Sequence, residues 1–537
     1  MEVRCLVAAA CLIALLSAST TLAQDEATDV YESTDAALEA HERETSPETA
    51  GASATEVISQ FFPEVEEDEG TYPASEFLEH DFLLRRQGPA KGSYSGRLFT
   101  KYSNDKISDV TKWEKELELF LAYKDVTSYM RFGDVNAFAG KNERFRWEKG
   151  NVRFKHDSGS VTLGSFGALF GRGLALNMFE ERFLEFDNEV EGIKVEHELG
   201  DAEITALHGT RHPRIWRHGG SVDALRIMHP LGDAVDVGVH GVHMEFPPGL
   251  PNIEAKEILE YDLIGADTTV RLGDFRGYVE TVRLKRGAES AFGDDPRDFD
   301  GLDGRGYYAT ASYSIPGFSI AGEYKDYEGL LQPFSVLPPI RRWWEKAQAE
   351  PTDDVGYGFD MNLSPGDDGS QFAFHYAQDN SHEGNRPYTE FFGTYSGPTG
   401  RDFTYIGEYW KVNTDSGHHS IKRATLNQAL SEDWLASSFL EHEKIYGDGF
   451  GYTDYIIEGE LSYRSELNLI YFFEATTAET GDDPDKWKLF EIKWVPVENQ
   501  EIHLLLGSRR KGFVCSGGVC REEPAFDGMR VDWLLRF

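Results

Sequence analysis

From about Tyr94 to the end of the chain, apolar and polar residues alternate in segments of roughly ten residues, set apart by turn-forming residues. The last segment shows it best. Met529, Val531, Trp533, Leu535 and Phe537 fall on one face, and Arg530, Asp532 and Arg536 on the other, with Leu534 the one exception. Tyr455, Ile457, Leu461 and Tyr463 oppose Asp454, Glu458, Glu460 and Ser462, and Leu117, Leu119, Leu121 and Tyr123 oppose Glu116 and Glu118. A period of two puts each set on one face of a β-sheet. Many of the apolar faces begin or end on an aromatic residue, as girdles at two bilayer interfaces require. A soluble sandwich or propeller alternates too. These segments, however, approach the roughly 9–11 residues that a tilted membrane-spanning strand needs. Their polar faces are also too charged for the packed interior of a soluble barrel.

The connections offer an independent test. Every second one is tight: Lys124-Asp125, Asp157-Ser158-Gly159, Leu199-Gly200-Asp201, Leu231-Gly232-Asp233, Pro316-Gly317, Ser396-Gly397-Pro398, Ser431-Glu432-Asp433, Arg464-Ser465 and Pro496 to Asn499. The others are longer, notably 168–189, 286–303, 326–354 and 510–526. Short periplasmic turns and longer external loops mark bacterial outer-membrane barrels. In lipid every backbone N–H and C=O needs an internal partner, so a long run of hairpins closes on itself. The pattern predicts an all-β fold over residues 94–537: a transmembrane, antiparallel, up-and-down β-barrel of about 24 strands, within a range of about 22–26.

Residues 1–23 read as a cleaved signal peptide, with Arg4, an apolar run from Val7 to Leu16, and Thr21-Leu22-Ala23 before Gln24. That run is too short to span a bilayer. Residues 24–81 hold 18 acidic residues against one Arg, within a chain of net charge −40. They are predicted to be a mostly disordered periplasmic segment, with a short ordered patch near Val57 to Phe62. Such acidity excludes nucleic acid as a partner. Of four cysteines, Cys5 and Cys11 leave with the signal. Cys515 and Cys520 close a short loop in an oxidising compartment, so a disulfide is expected, and no metal site or cofactor.

Phe132-Gly133-Asp134-Val135-Asn136-Ala137-Phe138 parallels Leu163-Gly164-Ser165-Phe166-Gly167-Ala168-Leu169, which runs into Phe170-Gly171-Arg172-Gly173-Leu174 and then Phe186-Asp187-Asn188. Together with Cys-Ser-Gly-Gly-Val-Cys-Arg at 515–521, these motifs resemble an uncharacterised family of bacterial outer-membrane proteins of unknown function. The resemblance implies fold and location and no known activity. The closing Phe537 resembles the terminal signal read by the outer-membrane barrel assembly machinery, an expected partner.

Gly171 and Gly173 permit backbone conformations that other residues resist. Gly171, Arg172, Gly173, Asp187 and Asn188 are therefore candidates for a constriction in which loop 168–189 folds inward. The competing expectation, held equally, is a tight external loop. Pore-lining candidates are Glu116, Glu118, Glu323, Glu408, Glu458, Glu460, Glu474 and Glu491, partly offset by Lys325, Lys493, Arg530 and Arg536. Carboxylates around a water-filled pore attract cations, and ion pairs holding the wall are the alternative. Arg211, His212, Arg214, Trp216, Arg217 and His218, and also Arg341, Arg342, Trp343 and Trp344, form basic-aromatic external loops. Outer-membrane lipid and lipopolysaccharide phosphates are their candidate partners. His418-His419 reads as loop surface.

No nucleophile elbow, zinc-protease motif or phosphate-binding loop appears, so no catalytic residues are assigned and no enzyme is expected. A barrel of some 24 strands encloses more space than wall side chains fill. Inward loops, or a periplasmic or plug partner, must narrow it. The expected function is a pore or transport-related channel. A structural or adhesive surface barrel with a closed lumen is the alternative, and an outer-membrane hydrolase a third.

Overall fold

The computed structural model describes most of residues 93–537. Residues 1–92, 107–109, 134–144, 182–185, 212–219, 247–258, 287–303, 331–336, 341–352 and a few shorter stretches fall outside the described residues. The signal, the acidic segment and both basic-aromatic loops, Arg211's backbone apart, therefore lie outside them.

Twenty-four antiparallel strands form one sheet closed on itself, and there is no helix among the described residues. The first strand, Ser93–Asp105, pairs with the second, Val110–Tyr123, and with the last, Phe526–Arg536. Phe537 completes this seam. Gly96 N–H donates to its carbonyl at 2.7 Å, and Phe537 N–H donates to the Gly96 carbonyl at 2.9 Å. The phenylalanine ring occupies the space that a Cβ at Gly96 would need. Closure leaves no unpaired edge, as a strand in lipid demands. Two short turns place a non-glycine residue at positive φ, Lys124 at 52° and Arg464 at 49°, the twist that short hairpins ask for.

The strand number agrees with the sequence pattern. Two expected turns do not. Ser396-Gly397-Pro398 lies inside the strand Tyr388–Gly400, which bulges between Pro398 and Gly400 before pairing with Phe403–Asn413. Pro496 likewise lies inside Lys486–Val497, beside a register shift between Trp494 and Val497. Bulges accept proline because the ladder is already interrupted there, so proline and glycine punctuated these strands without ending them. His418 and His419 also belong to a strand, Gly417–Ala429, rather than to a loop. His418 faces outward, its ring 5.0 Å from that of Tyr446, and His419 turns inward with Nδ1 4.0 Å from Glu443.

The burial pattern is the reverse of a water-soluble protein's. Leu121, Tyr123, Ile193, Ile264 and Val279 are exposed on the outer wall, while Glu116, Glu118, Arg131, Lys149 and Glu280 are buried on the inner one. This is the outward apolar band of a membrane barrel.

Two long loops turn into the lumen. The loop between Gly159–Phe166 and Val190–Leu199 forms two small hairpins, Ala168–Phe170 with Leu176–Met178 and Glu180–Glu181 with Phe186–Asp187. Its Phe170, Leu174, Leu176 and Met178 are buried against inward residues of strands further round, among them Val222, Val242, Leu263, Leu284 and Tyr308. Leu330 and Leu337, from the loop after Phe318–Glu328, join the same cluster. A Cβ at Gly306 would touch both Leu174 and Leu330, so the two loops meet over that glycine. Ile340 packs on the inner wall where Gly356 and Gly358 leave room for it.

Candidate functional site

The loop 168–189 is fastened to the wall at two polar anchors, one at each end. At the first, the backbone turns through Gly171 and Gly173 at φ 62° and 99°. A Cβ at Gly171 would fall on the Glu280 carboxylate. Without one, Arg172 N–H donates to Glu280 Oε2 at 2.7 Å, and the Arg172 guanidinium lies 5.3 Å from the centre of the Tyr278 ring. Tyr278 Oη also donates to Glu280 Oε2, at 2.8 Å. Behind Glu280 a row of ionisable side chains crosses the inner wall. His240 Nε2 is 3.9 Å from Glu280, His240 Nδ1 is 3.5 Å from Asp267, and Arg226 donates to both Asp267 oxygens at 2.9 and 3.1 Å. Burial of Leu174, Ala175 and Leu176 beside this anchor removes water from it.

The second anchor is the amine of Lys149, on the strand Arg146–His156. It pairs with Glu180, with Asp187 at 3.0 Å and with Glu189 at 2.8 Å. Arg131 joins it, pairing with Glu180 at 2.5 Å and Glu148 at 2.9 Å. Burial opposes ionisation of Glu180, yet Lys149 and Arg131 outweigh it and hold that carboxyl below the usual carboxylate range. Glu189 is raised, chiefly by burial, against the pull of Lys149. Oxygens of Glu180, Asp187 and Glu189 lie within 4.8 Å of one another, a spacing that a cation can bridge. Here the Lys149 ammonium fills that role. Asn188, 1% exposed, laces the loop to itself: Phe179 N–H donates to its Oδ1 at 2.6 Å, and its Nδ2 donates to the Asn177 carbonyl at 2.8 Å.

All five candidate constriction residues thus come together on one inward loop. Glu280, Lys149, Arg131, Glu180 and Glu189 escaped the sequence reading. One signal was available. Val242 and Met244, and Val282 and Leu284, make the lumen face apolar near the long-loop end, where His243, Asp262 and Arg283 make the outer face polar. A lumen face with that character needs a cover.

The pore-lining candidates all turn inward but form patches and no ring. Glu116 and Glu118 share one strand. Glu118 accepts from Arg97 at 2.6 Å and from Tyr129 Oη at 2.8 Å. Glu458, Glu460, Glu474 and Glu491 gather on three neighbouring strands. Glu491 pairs with His503 at 2.7 Å and Lys493 at 3.1 Å, Glu474 lies 3.5 Å from Arg510, and Glu460 accepts from Ser462 at 2.9 Å. Glu323 accepts from Tyr308 Oη at 3.4 Å, and Glu408 stands opposite Arg423. Lys325 is deeply buried and pairs with Asp379 at 2.7 Å and Asp354 at 3.3 Å. In the last long connection, Gly512–Ser516 pairs with Val519–Glu523, which sets Cys515 opposite Cys520 in register.

The model of a family of unknown function, DUF6029, matches residues 117–332. No curated protein matches the sequence. Among solved structures, the E. coli P pilus tip assembly intermediate PapC-PapD-PapK-PapG is similar with a TM-score of 0.51 at 8% identity, covering 82% of this chain and 60% of that one. The P pilus usher (PapC) translocation pore matches with a TM-score of 0.44 at 7% identity, over 83% of this chain and 99% of that one. The siderophore receptor PirA from Pseudomonas aeruginosa has a TM-score of 0.43 at 9% identity, over 84% and 81%. At these identities the likeness is one of fold, a closed barrel of the outer-membrane kind.

Proposed function

We propose that this chain is a pore or transport-related channel of the Gram-negative outer membrane, in which the inward loop 168–189 confines passage to one side of the lumen. The observation that carries this reading is the double fastening of the loop, Arg172 N–H on Glu280 and the carboxylates of Glu180, Asp187 and Glu189 on Lys149. A loop merely capping the mouth has no need of a buried anchor at each end. Where the loops do not reach, the wall is charged and wettable. Glu458 and Glu460 there give the passage a weak preference for cations.

Single-channel recording of the full chain in planar bilayers tests it. Gly171→Val puts a branched side chain at a positive φ and against Glu280, which unseats the loop. The expected result is a small wild-type conductance that rises several-fold in the variant. A lumen that stays closed to ions in both proteins overturns the channel reading and leaves the adhesive barrel.

A further inference from the structure

The outer wall is as uneven as the lumen. From Tyr388–Gly400 round to Lys486–Val497, the register places Lys411, Lys422, Lys444, Lys486 and Lys488 on the lipid-facing side near the long-loop end, with His418 and His442 among them. On that face of these strands there is no carboxylate among the described residues, in a chain whose net charge is −40. Further round, the equivalent level is acid-rich and internally paired: His208 with Asp223 at 2.8 Å, His243 with Asp262 at 2.8 Å, Arg305 with Glu328 at 2.5 Å.

The geometry points to a binding surface, on the outer wall at Lys411, Lys422 and Lys444, for the phosphorylated headgroup of an outer-leaflet glycolipid. Lys422 stands directly opposite His442, two residues from Lys444, and Lys411 lies diagonal to Lys422 across the next pair. Diagonal neighbours in a sheet are roughly 7–8 Å apart, and like charges facing each other across strands destabilise it. Lys411 and Lys422 are exposed and Lys444 half-buried, and their described cross-strand neighbours are Phe391, Tyr409, Ser420, His442 and Thr453, with no carboxylate among them. An anion from outside the chain resolves the repulsion. The level fixes which anion. Tyr409 and Tyr455, in register with Lys422 and His442, and Leu440 and Phe490, two residues further from the long loops than His442 and Lys488, form the aromatic and aliphatic belt that meets hydrocarbon. Phosphates of the outer leaflet begin immediately above such a belt, and lysine ammoniums pair with phosphate as point charges. Lys486 and Lys488 extend the surface three strands beyond that of Lys444.

The inference rests on the outer-membrane location proposed above. The test titrates the detergent-solubilised full chain with bis-phosphorylated lipid A and counts bound lipid by native mass spectrometry. Dephosphorylated lipid A serves as the comparison. The K411Q/K422Q/K444Q variant is expected to lose affinity for the phosphorylated lipid at least tenfold and to bind the dephosphorylated lipid as wild type does. K285Q, on the acid-rich side, is expected to change neither. Heat-modifiable gel migration verifies that each barrel is folded, and K486Q/K488Q offers a second, milder loss if the triple variant does not fold. Equal binding of phosphorylated lipid by folded wild type and both lysine variants overturns the site. Conductance of the same preparations reports separately on the channel, so lost binding selectivity with conductance intact sinks only the lysine surface.

Discussion

Two halves of one lumen meet the same physical demand in opposite ways. From Gly159–Phe166 round to Phe318–Glu328, the inner wall near the long loops is apolar, and two inward loops cover it with Phe170, Leu174, Leu176 and Leu330. From Phe450–Tyr463 round past the seam to Arg146–His156, every strand turns at least one charged side chain inward. There, five consecutive strands set Lys493, His503, Asp532, Lys101 and Glu114 side by side in register. Lys101 pairs with Glu114 at 2.9 Å, and Arg530 with Asp532 at 2.7 Å. An inner wall either excludes water with a cover or stays wet and balances its charges across strands, because an uncovered apolar face or an unpaired buried charge is costly. In the function proposed above, passage would follow the charged half.

Lys149 stands at the boundary between the halves, and breaking it should have the largest effect. Lys149→Ala removes the ammonium that Glu180, Asp187 and Glu189 share and leaves Arg131 on Glu180. Removing one partner of a buried ion pair costs about 3–5 kcal/mol. The expected outcome is release of the loop while the barrel stays closed. Limited proteolysis should then cut within 168–189, and conductance should rise. Unchanged protection of that loop would mean that the apolar contacts alone hold it.

Leu174→Ala tests those contacts from the covered half. Leu174 is fully buried against Leu330 and Val282 across Gly306. Truncations of this kind cost about 2–5 kcal/mol, with the spread set by how far the site collapses. Hydrogen exchange should quicken in the loop and remain slow in the strands, since local opening draws on the least stable segment first. A global loss of barrel stability, with no preferential opening of the loop, would show that the cover and wall unfold as one unit.

The outer contrast between lipid and lumen was legible because it repeats every second residue, as Leu117 to Tyr123 against Glu116 and Glu118 show. The ends of loop 168–189 were legible too, since alternation stops at Phe166 and resumes at Val190. Gly171, Arg172, Asp187 and Asn188 stood out as a motif. Their partners did not. Lys149 and Glu280 are ordinary charges on ordinary strands, and only the path of the loop decides which of them it meets. Pro398 and Pro496 misled in the other direction, because a bulge and a turn share the same residue preferences.

The smallest effect belongs to His382, at the long-loop rim of the covered half. Its Nδ1 pairs with Asp353 at 2.6 Å and its Nε2 with Asp326 at 3.0 Å, which ties together the two strands that flank the second inward loop. Partial burial disfavours its charged form, but the two carboxylates prevail and raise its pKa above the ordinary histidine value. A raised folded pKa means that the contribution is complete below the unfolded value of about 6.5 and fades as pH rises through the folded one. The side chain is 31% exposed, so solvent screening keeps the contribution below about 1 kcal/mol. Hydrogen exchange near 381–387 and 353–357 should therefore be slower at pH 5.5 than at pH 9 in the wild type, after correction for intrinsic rates. In His382→Gln the corrected difference should vanish. If the variant kept the same pH dependence, the clamp would lie elsewhere on the rim, and the covered half would owe its closure to apolar packing and the Lys149 anchor alone.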